Sequence, residues 1–200
     1  MMRLFALLFC LMPALAMASD WPALMNVTGV QANDHLNIRE RATTASPVIG
    51  KLGANDTNVE IVGASEDAKW GIVNIGEGIG WVSLRYMMRS GAADSLPDDL
   101  YCSGTEPFWA ASFGAETMRF SSPESEELEI ATNGRRSSAN RVDRYSITSK
   151  ASDGSFAVAV ITRRECSDGM SDRAYGLSLD LILRTNDIDA HLTGCCSLSQ

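Results

Sequence analysis

From Val27 to Met88 apolar and polar positions follow one another in short runs that favour strands, with turn residues between them and no competing helical period. The runs are Leu36 to Arg39, Val48 to Leu52, Val59 to Val62, Trp70 to Ile75 and Gly80 to Leu84. Asn33-Asp34, Gly53 to Asp56 and Gly76-Glu77-Gly78 separate them, and such residues support hairpin connections. A sheet module this short leaves edges to hide, and closure into a small barrel hides them.

Gly91 to Asp99 carries Gly, Ala, Asp, Ser and Pro with one large apolar residue, Leu96, and reads as a linker. A second module is expected over residues 100–200, after a first over residues 22–90. Its strand candidates are Phe108 to Phe113, Leu128 to Ala131, Tyr145 to Thr148, Phe156 to Thr162, Tyr175 to Leu183 and His191 to Cys195. Leu177 to Leu181 alternates strictly, as a sheet with one wet face requires. Ser121 to Glu127 and Asn133 to Asn140 are polar and charged, and are expected to be loops. The fold class is therefore all-β, with an SH3-like small barrel followed by a second small antiparallel barrel or sandwich.

The amino-terminal segment has a different pattern. Arg3, the apolar run Leu4 to Ala14 and Ala16-Met17-Ala18 form the three parts of a signal peptide over residues 1–18, too short and too interrupted by Pro13 to span a bilayer comfortably. Export to the periplasm or beyond is the expectation, without a stable membrane span after cleavage. The formal charge of −8 argues against nucleic acid or anionic lipid as partners.

Beyond Cys10, the cysteines are Cys102, Cys166, Cys195 and Cys196, an even number that in an exported protein suggests two disulfides. A bridge between the adjacent Cys195 and Cys196 would strain the peptide joining them, so each is expected to pair with one of Cys102 and Cys166, in either order. Neighbouring strand residues face opposite ways, so the bridges would leave that strand on both sides. Adjacent cysteines without a C-x-x-C spacing suit tetrahedral zinc poorly, and no metal or cofactor is expected.

Leu36-Asn37-Ile38-Arg39, Thr43 to Gly50, Val59-Glu60-Ile61-Val62, Lys69-Trp70 and Gly80-Trp81-Val82-Ser83 form an ordered series that resembles the bacterial SH3 (SH3b) domain family over about residues 27–88. The resemblance implies recognition of peptidoglycan stem peptide or of an envelope protein. Cys102-Ser103-Gly104-Thr105-Glu106-Pro107-Phe108-Trp109, Cys166 to Asp172 and Gly194-Cys195-Cys196 resemble the motifs of a family of exported bacterial proteins with no established activity. That second resemblance implies location and disulfides more than chemistry.

Two groups of residues are candidates for ligand contact. Asn37 and Arg39 share the strand face opposite Leu36 and Ile38, and Trp70 follows a polar turn, so the three could line an SH3-type groove; the alternatives are a solvated strand face for Asn37 and Arg39 and core packing for Trp70. Trp81, in the closing strand, is expected in the core. Glu106 and Trp109 lie near Cys102 in sequence, and Asp168 and Asp172 lie near Cys166, so the bridges could gather them into an acidic cleft. Equally, Trp109 could fill the core and the aspartates cap a turn.

Asp187, Asp189 and His191 share a strand face by period two, a pattern that fits a solvated face better than a metal site. Glu165 to Gly169 has a partial likeness to the nucleophile region of papain-type peptidases, but an oxidised Cys166 has no thiolate for attack. The leading expectation is thus a non-enzymatic envelope binding protein. Alternatives are a periplasmic inhibitor of a basic cell-wall hydrolase such as lysozyme, which the acidic charge would suit, and a hydrolase using Glu106 and Asp168.

Overall fold

In a computed structural model the described residues are 21–91 and 96–199, so the predicted signal peptide and the middle of the predicted linker lie outside them. The first half holds strands β1 (Ala23–Val27), β2 (His35–Arg39), β3 (Val48–Gly53), β4 (Val59–Ile61), β5 (Gly63–Ala64), β6 (Trp70–Ile75) and β7 (Gly78–Ser83). A single 3-10 turn, Leu84–Tyr86, then leads to β8 (Met87–Arg89). These strands form two small sheets, in the orders β4-β1-β8 and β3-β2-β7-β6-β5. Ala23, Met25, Leu36, Ile38, Ile61, Val73, Val82 and Met87 fill the core of this SH3-like module.

Trp81 does not join that core. It is half-buried on β7, because its neighbours Gly80 and Val82 take the inward positions and period two sends the indole outward. Gly80 is required inside: a methyl group there would stand 2.3 Å from Ile38 Cγ2.

The second half is one closed barrel of eight strands: β9 (Leu100–Thr105), β10 (Phe108–Phe113), β11 (Thr117–Ser122), β12 (Ser125–Ser137), β13 (Arg144–Lys150), β14 (Phe156–Cys166), β15 (Tyr175–Arg184) and β16 (Asp189–Ser197). Each strand pairs antiparallel with the next in sequence, and β16 returns to β9 to close the ring. Leu177, Leu179, Leu181 and Leu183 project inward from β15 and are almost wholly buried, each contributing about 1.5 to 3 kcal/mol of burial free energy.

Two polar segments expected to be loops contribute to strands. Ser121 and Ser122 end β11, and β12 runs from Ser125 through Ser137. Charged residues are at home there because the outer barrel face is wet, and along β12 only Ile130 is fully buried.

Cys102 pairs with Cys196 and Cys166 with Cys195. Cys102 and Cys196 lie directly opposite one another on the closing strands, both buried within the barrel. In a chain-entropy account, closing a loop of this length, 94 residues, contributes about 4 to 5 kcal/mol. Cys195 faces the other way and holds Cys166, which anchors the 167–174 loop to the barrel exterior.

That loop also meets the first half. The Asp172 amide donates to the Glu77 carbonyl at 2.9 Å, and Arg173 Nη1 donates to the Gly76 carbonyl at 3.3 Å. Asn74 and Ala174 exchange two hydrogen bonds of 2.9 Å each. Nearby, Arg163 donates to the Pro22 carbonyl at 2.8 Å, and Gly176 lies so close to Pro22 that a methyl group would stand 2.7 Å from the ring.

Glu60 is buried at this junction. Its carboxylate accepts the Leu198 and Ser199 amides and faces Arg173, while Oε1 has no hydrogen-bond partner among the described residues. Burial dominates over the amides and the arginine and raises its pKa to about 7. An unfolded glutamate gives up its proton near pH 4.5, whereas the folded state keeps it to about 7, so stability is highest below the first value and falls between the two. With about 1.4 kcal/mol per unit, the loss approaches roughly 3 kcal/mol. Glu60→Gln should flatten this dependence and stabilise the protein at pH 8. Urea denaturation at pH 5 and pH 8 checks it, and an unchanged slope in the variant would refute the assignment.

Candidate functional site

The turn from Ser65 to Lys69 sets the direction of Trp70. Ser65 Oγ donates to Asp67 Oδ1 at 2.7 Å and accepts the Trp70 amide at 3.1 Å, while Lys69 pairs with Asp67 at 2.9 Å. The hydrogen bond from Lys69, followed by that from Ser65, lowers the Asp67 pKa to about 2. Ala68 completes the turn with a positive φ of 53°.

Trp70 leaves this turn half-buried and forms one wall of an open groove of about 560 Å³. Asn37 and Arg39 reach the same groove from β2, where the adjacent Leu36 and Ile38 are buried. Arg85 and Tyr86 enter from the 3-10 turn, with the guanidinium 5.7 Å from the centre of the tyrosine ring. Nothing in the apolar-polar alternation singles out these last two, which follow the closing strand; a basic-aromatic pair at that place is the only signal available.

Arg39 also has a structural duty. Its Nη1 donates to the Ser46 carbonyl at 2.7 Å, and the Ser46 hydroxyl accepts the Arg41 amide, so the guanidinium fixes the 40–47 loop beside the groove. Arg85 is exposed and carries its charge toward solvent. Two arginines against one acid, Asp34, make this groove locally basic on a chain of net charge −8.

Glu106, Trp109, Asp168 and Asp172 differ in exposure and partners, and the Thr105 hydroxyl, next to Glu106 in sequence, donates to the Asp168 carbonyl at 3.0 Å. Glu106 is exposed in the β9–β10 turn. Trp109 is buried in the barrel, stacked on Phe120 with ring centres 6.2 Å apart. Asp168 closes its own turn: Oδ1 accepts the Met170 and Ser171 amides, and Oδ2 accepts the Ser171 and Tyr175 hydroxyls. Burial pulls the Asp168 pKa upward, but these hydrogen bonds together prevail and lower it to about 2. Asp172 contributes its amide to the junction with Glu77. Asp189 pairs with Arg184, and His191 contacts Asp180 at 3.3 Å. Among the described residues, no group of three or more His, Cys, Asp or Glu side chains could hold a metal ion.

Two motif glycines make the seat of Trp109. A methyl group on Gly104 would lie 2.2 Å from the indole Nε1, and one on Gly194 would lie 2.1 Å from the Ser103 carbonyl oxygen and 2.7 Å from the indole Cζ2. Neither backbone can yield without disturbing the β16–β9 closure. Gly194→Ala should therefore destabilise the protein by about 3 kcal/mol, the upper part of the range for overpacking. Urea denaturation at pH 7 reads it; a loss near zero would mean that the indole does not lie against this glycine.

A scan against protein-family models finds no match for the chain, and no curated protein matches it.

Proposed function

We propose that the protein is an exported, non-enzymatic binding protein of the bacterial envelope, and that the groove of its SH3-like module holds an extended peptide bearing a free carboxylate, such as a peptidoglycan stem peptide. The observation that carries this reading is the convergence of Trp70, Tyr86, Arg39 and Arg85, brought from three separate segments to one groove. Aromatic walls give an extended peptide apolar contact, and a guanidinium pairs with a carboxylate through two parallel hydrogen bonds.

The two disulfides favour an oxidising compartment, in line with the export signal read from the first residues. Oxidation of Cys166 also leaves it without the thiolate that a cysteine peptidase needs. Among the described residues no helix is long and apolar enough to cross a membrane.

Purified sacculi provide the test. The protein should be retained, and Trp70→Ala and Arg85→Ala should each weaken retention about tenfold, the order of 1.4 kcal/mol per lost contact. Both sites are at the surface, so circular dichroism should show the fold intact. Retention by neither the wild-type protein nor an excess of it, or retention unaffected by both substitutions, would remove this reading.

A further inference from the structure

The up-and-down order of the barrel puts the turns after β9, β11, β13 and β15 at one end. Three of these turns surround a concave mouth of about 940 Å³, separate from the SH3-like groove. Its floor is Trp109, Phe120, Leu128 and Leu192, inward residues of β10, β11, β12 and β16. Phe108 and Ile188 extend the apolar wall, and Phe108 is 53% exposed.

Around this floor stand Glu124, Glu126, Glu127, Asp187 and Asp189, and among the described residues no Lys, Arg or His lines the mouth. Asp189 is paired with Arg184. The other four have no ion pair among the described residues. Barrel mouths of several hundred cubic ångströms are common seats for small ligands, with an apolar lining for affinity and a few polar groups for selection. Here the apolar cavity supplies the seat, and the uncompensated carboxylates select the charge of the occupant.

We propose that the barrel mouth is a binding site for a small amphipathic cation, whose apolar body rests on Phe108, Leu128, Ile188 and Leu192 above the buried Trp109–Phe120 pair and whose positive head lies among Glu124, Glu126 and Asp187. An anionic amphipath of the same shape meets four carboxylates and is rejected. A cation without an apolar body leaves the floor empty and is held only by screened surface charge. The site is independent of the peptide groove, so each can fail without the other.

Decyltrimethylammonium below its micelle-forming concentration is the probe, with decanoate and tetramethylammonium as matched controls. Calorimetry should show saturable 1:1 binding of the probe, at least tenfold tighter than either control and weaker at high salt. The Trp109 indole resonance should shift in step with saturation. The combined substitution Glu124→Gln, Glu126→Gln and Asp187→Asn changes only exposed side chains; it should weaken the probe at least tenfold while leaving the melting curve and sacculus retention unaltered.

Equal binding of decanoate, undiminished binding by the combined variant, or an unmoved Trp109 resonance would each overturn the proposal. So would failure of the probe to bind while a basic lysozyme is captured and lost on the same three substitutions, which would assign this face to a protein partner.

Discussion

Strand β16 has to satisfy three partners at once. Its backbone completes the ring by pairing with β15 on one side and β9 on the other, Cys196 reaches inward to Cys102, and Cys195 reaches outward to Cys166. The alternation of side chains along a strand makes this possible, because consecutive residues face opposite ways. A single residue of slip in the β16 register would exchange the inward and outward cysteines and break both bridges. Gly194 adds a steric condition to the same strand, since only a residue without Cβ lets the Trp109 indole and the Ser103 carbonyl approach together.

The outward bridge has an effect beyond the barrel. By fixing Cys166 it fixes the base of the loop that supplies Asp172, Arg173 and Ala174 to the SH3-like module. Asp168 stiffens that loop from within through four hydrogen bonds. The junction is thus built from a short, braced segment, and the hydrogen bonds between Asn74 and Ala174 can act without first ordering a flexible chain. Glu60 opposes this economy: a carboxyl buried with one oxygen unpartnered is held at a cost whenever it is charged.

Legibility in the sequence followed how far each strand is buried on one face. Trp70 to Ile75 and Phe108 to Phe113 were readable to the residue, because each is a β-favouring run bounded by turn or charged residues, Lys69 and Gly76 for the first and Pro107 and Gly114 for the second. β12 was not, since its outward face is charged and its inward face contributes little beyond Leu128 and Ile130. β9 was hidden for another reason: Ser103, Gly104 and Thr105 look like turn residues, yet Gly104 is there to receive an indole. The all-β class and the disulfides needed only local pattern. The destinations of Trp81, Trp109 and Asp168 depended on which neighbour takes the inward position or which amides lie within reach, and those are properties of the assembled sheets.

The charge distribution gives the two openings different chemistry within one acidic protein. At about physiological ionic strength charges farther apart than about 8 Å are largely screened, so the net charge of −8 does not decide what each opening attracts. Local groups decide it. Arg39 and Arg85 give the Trp70 groove positive charge, while the carboxylates of the barrel mouth give it negative charge. A ligand with one charged end would therefore sort to a single opening by the sign of that end. Since the 167–174 loop joins the two halves through the Asp172 amide, the Asn74 side-chain amide and Arg173, none of which lines either opening, and the two openings share no lining residue, each local charge acts without the other.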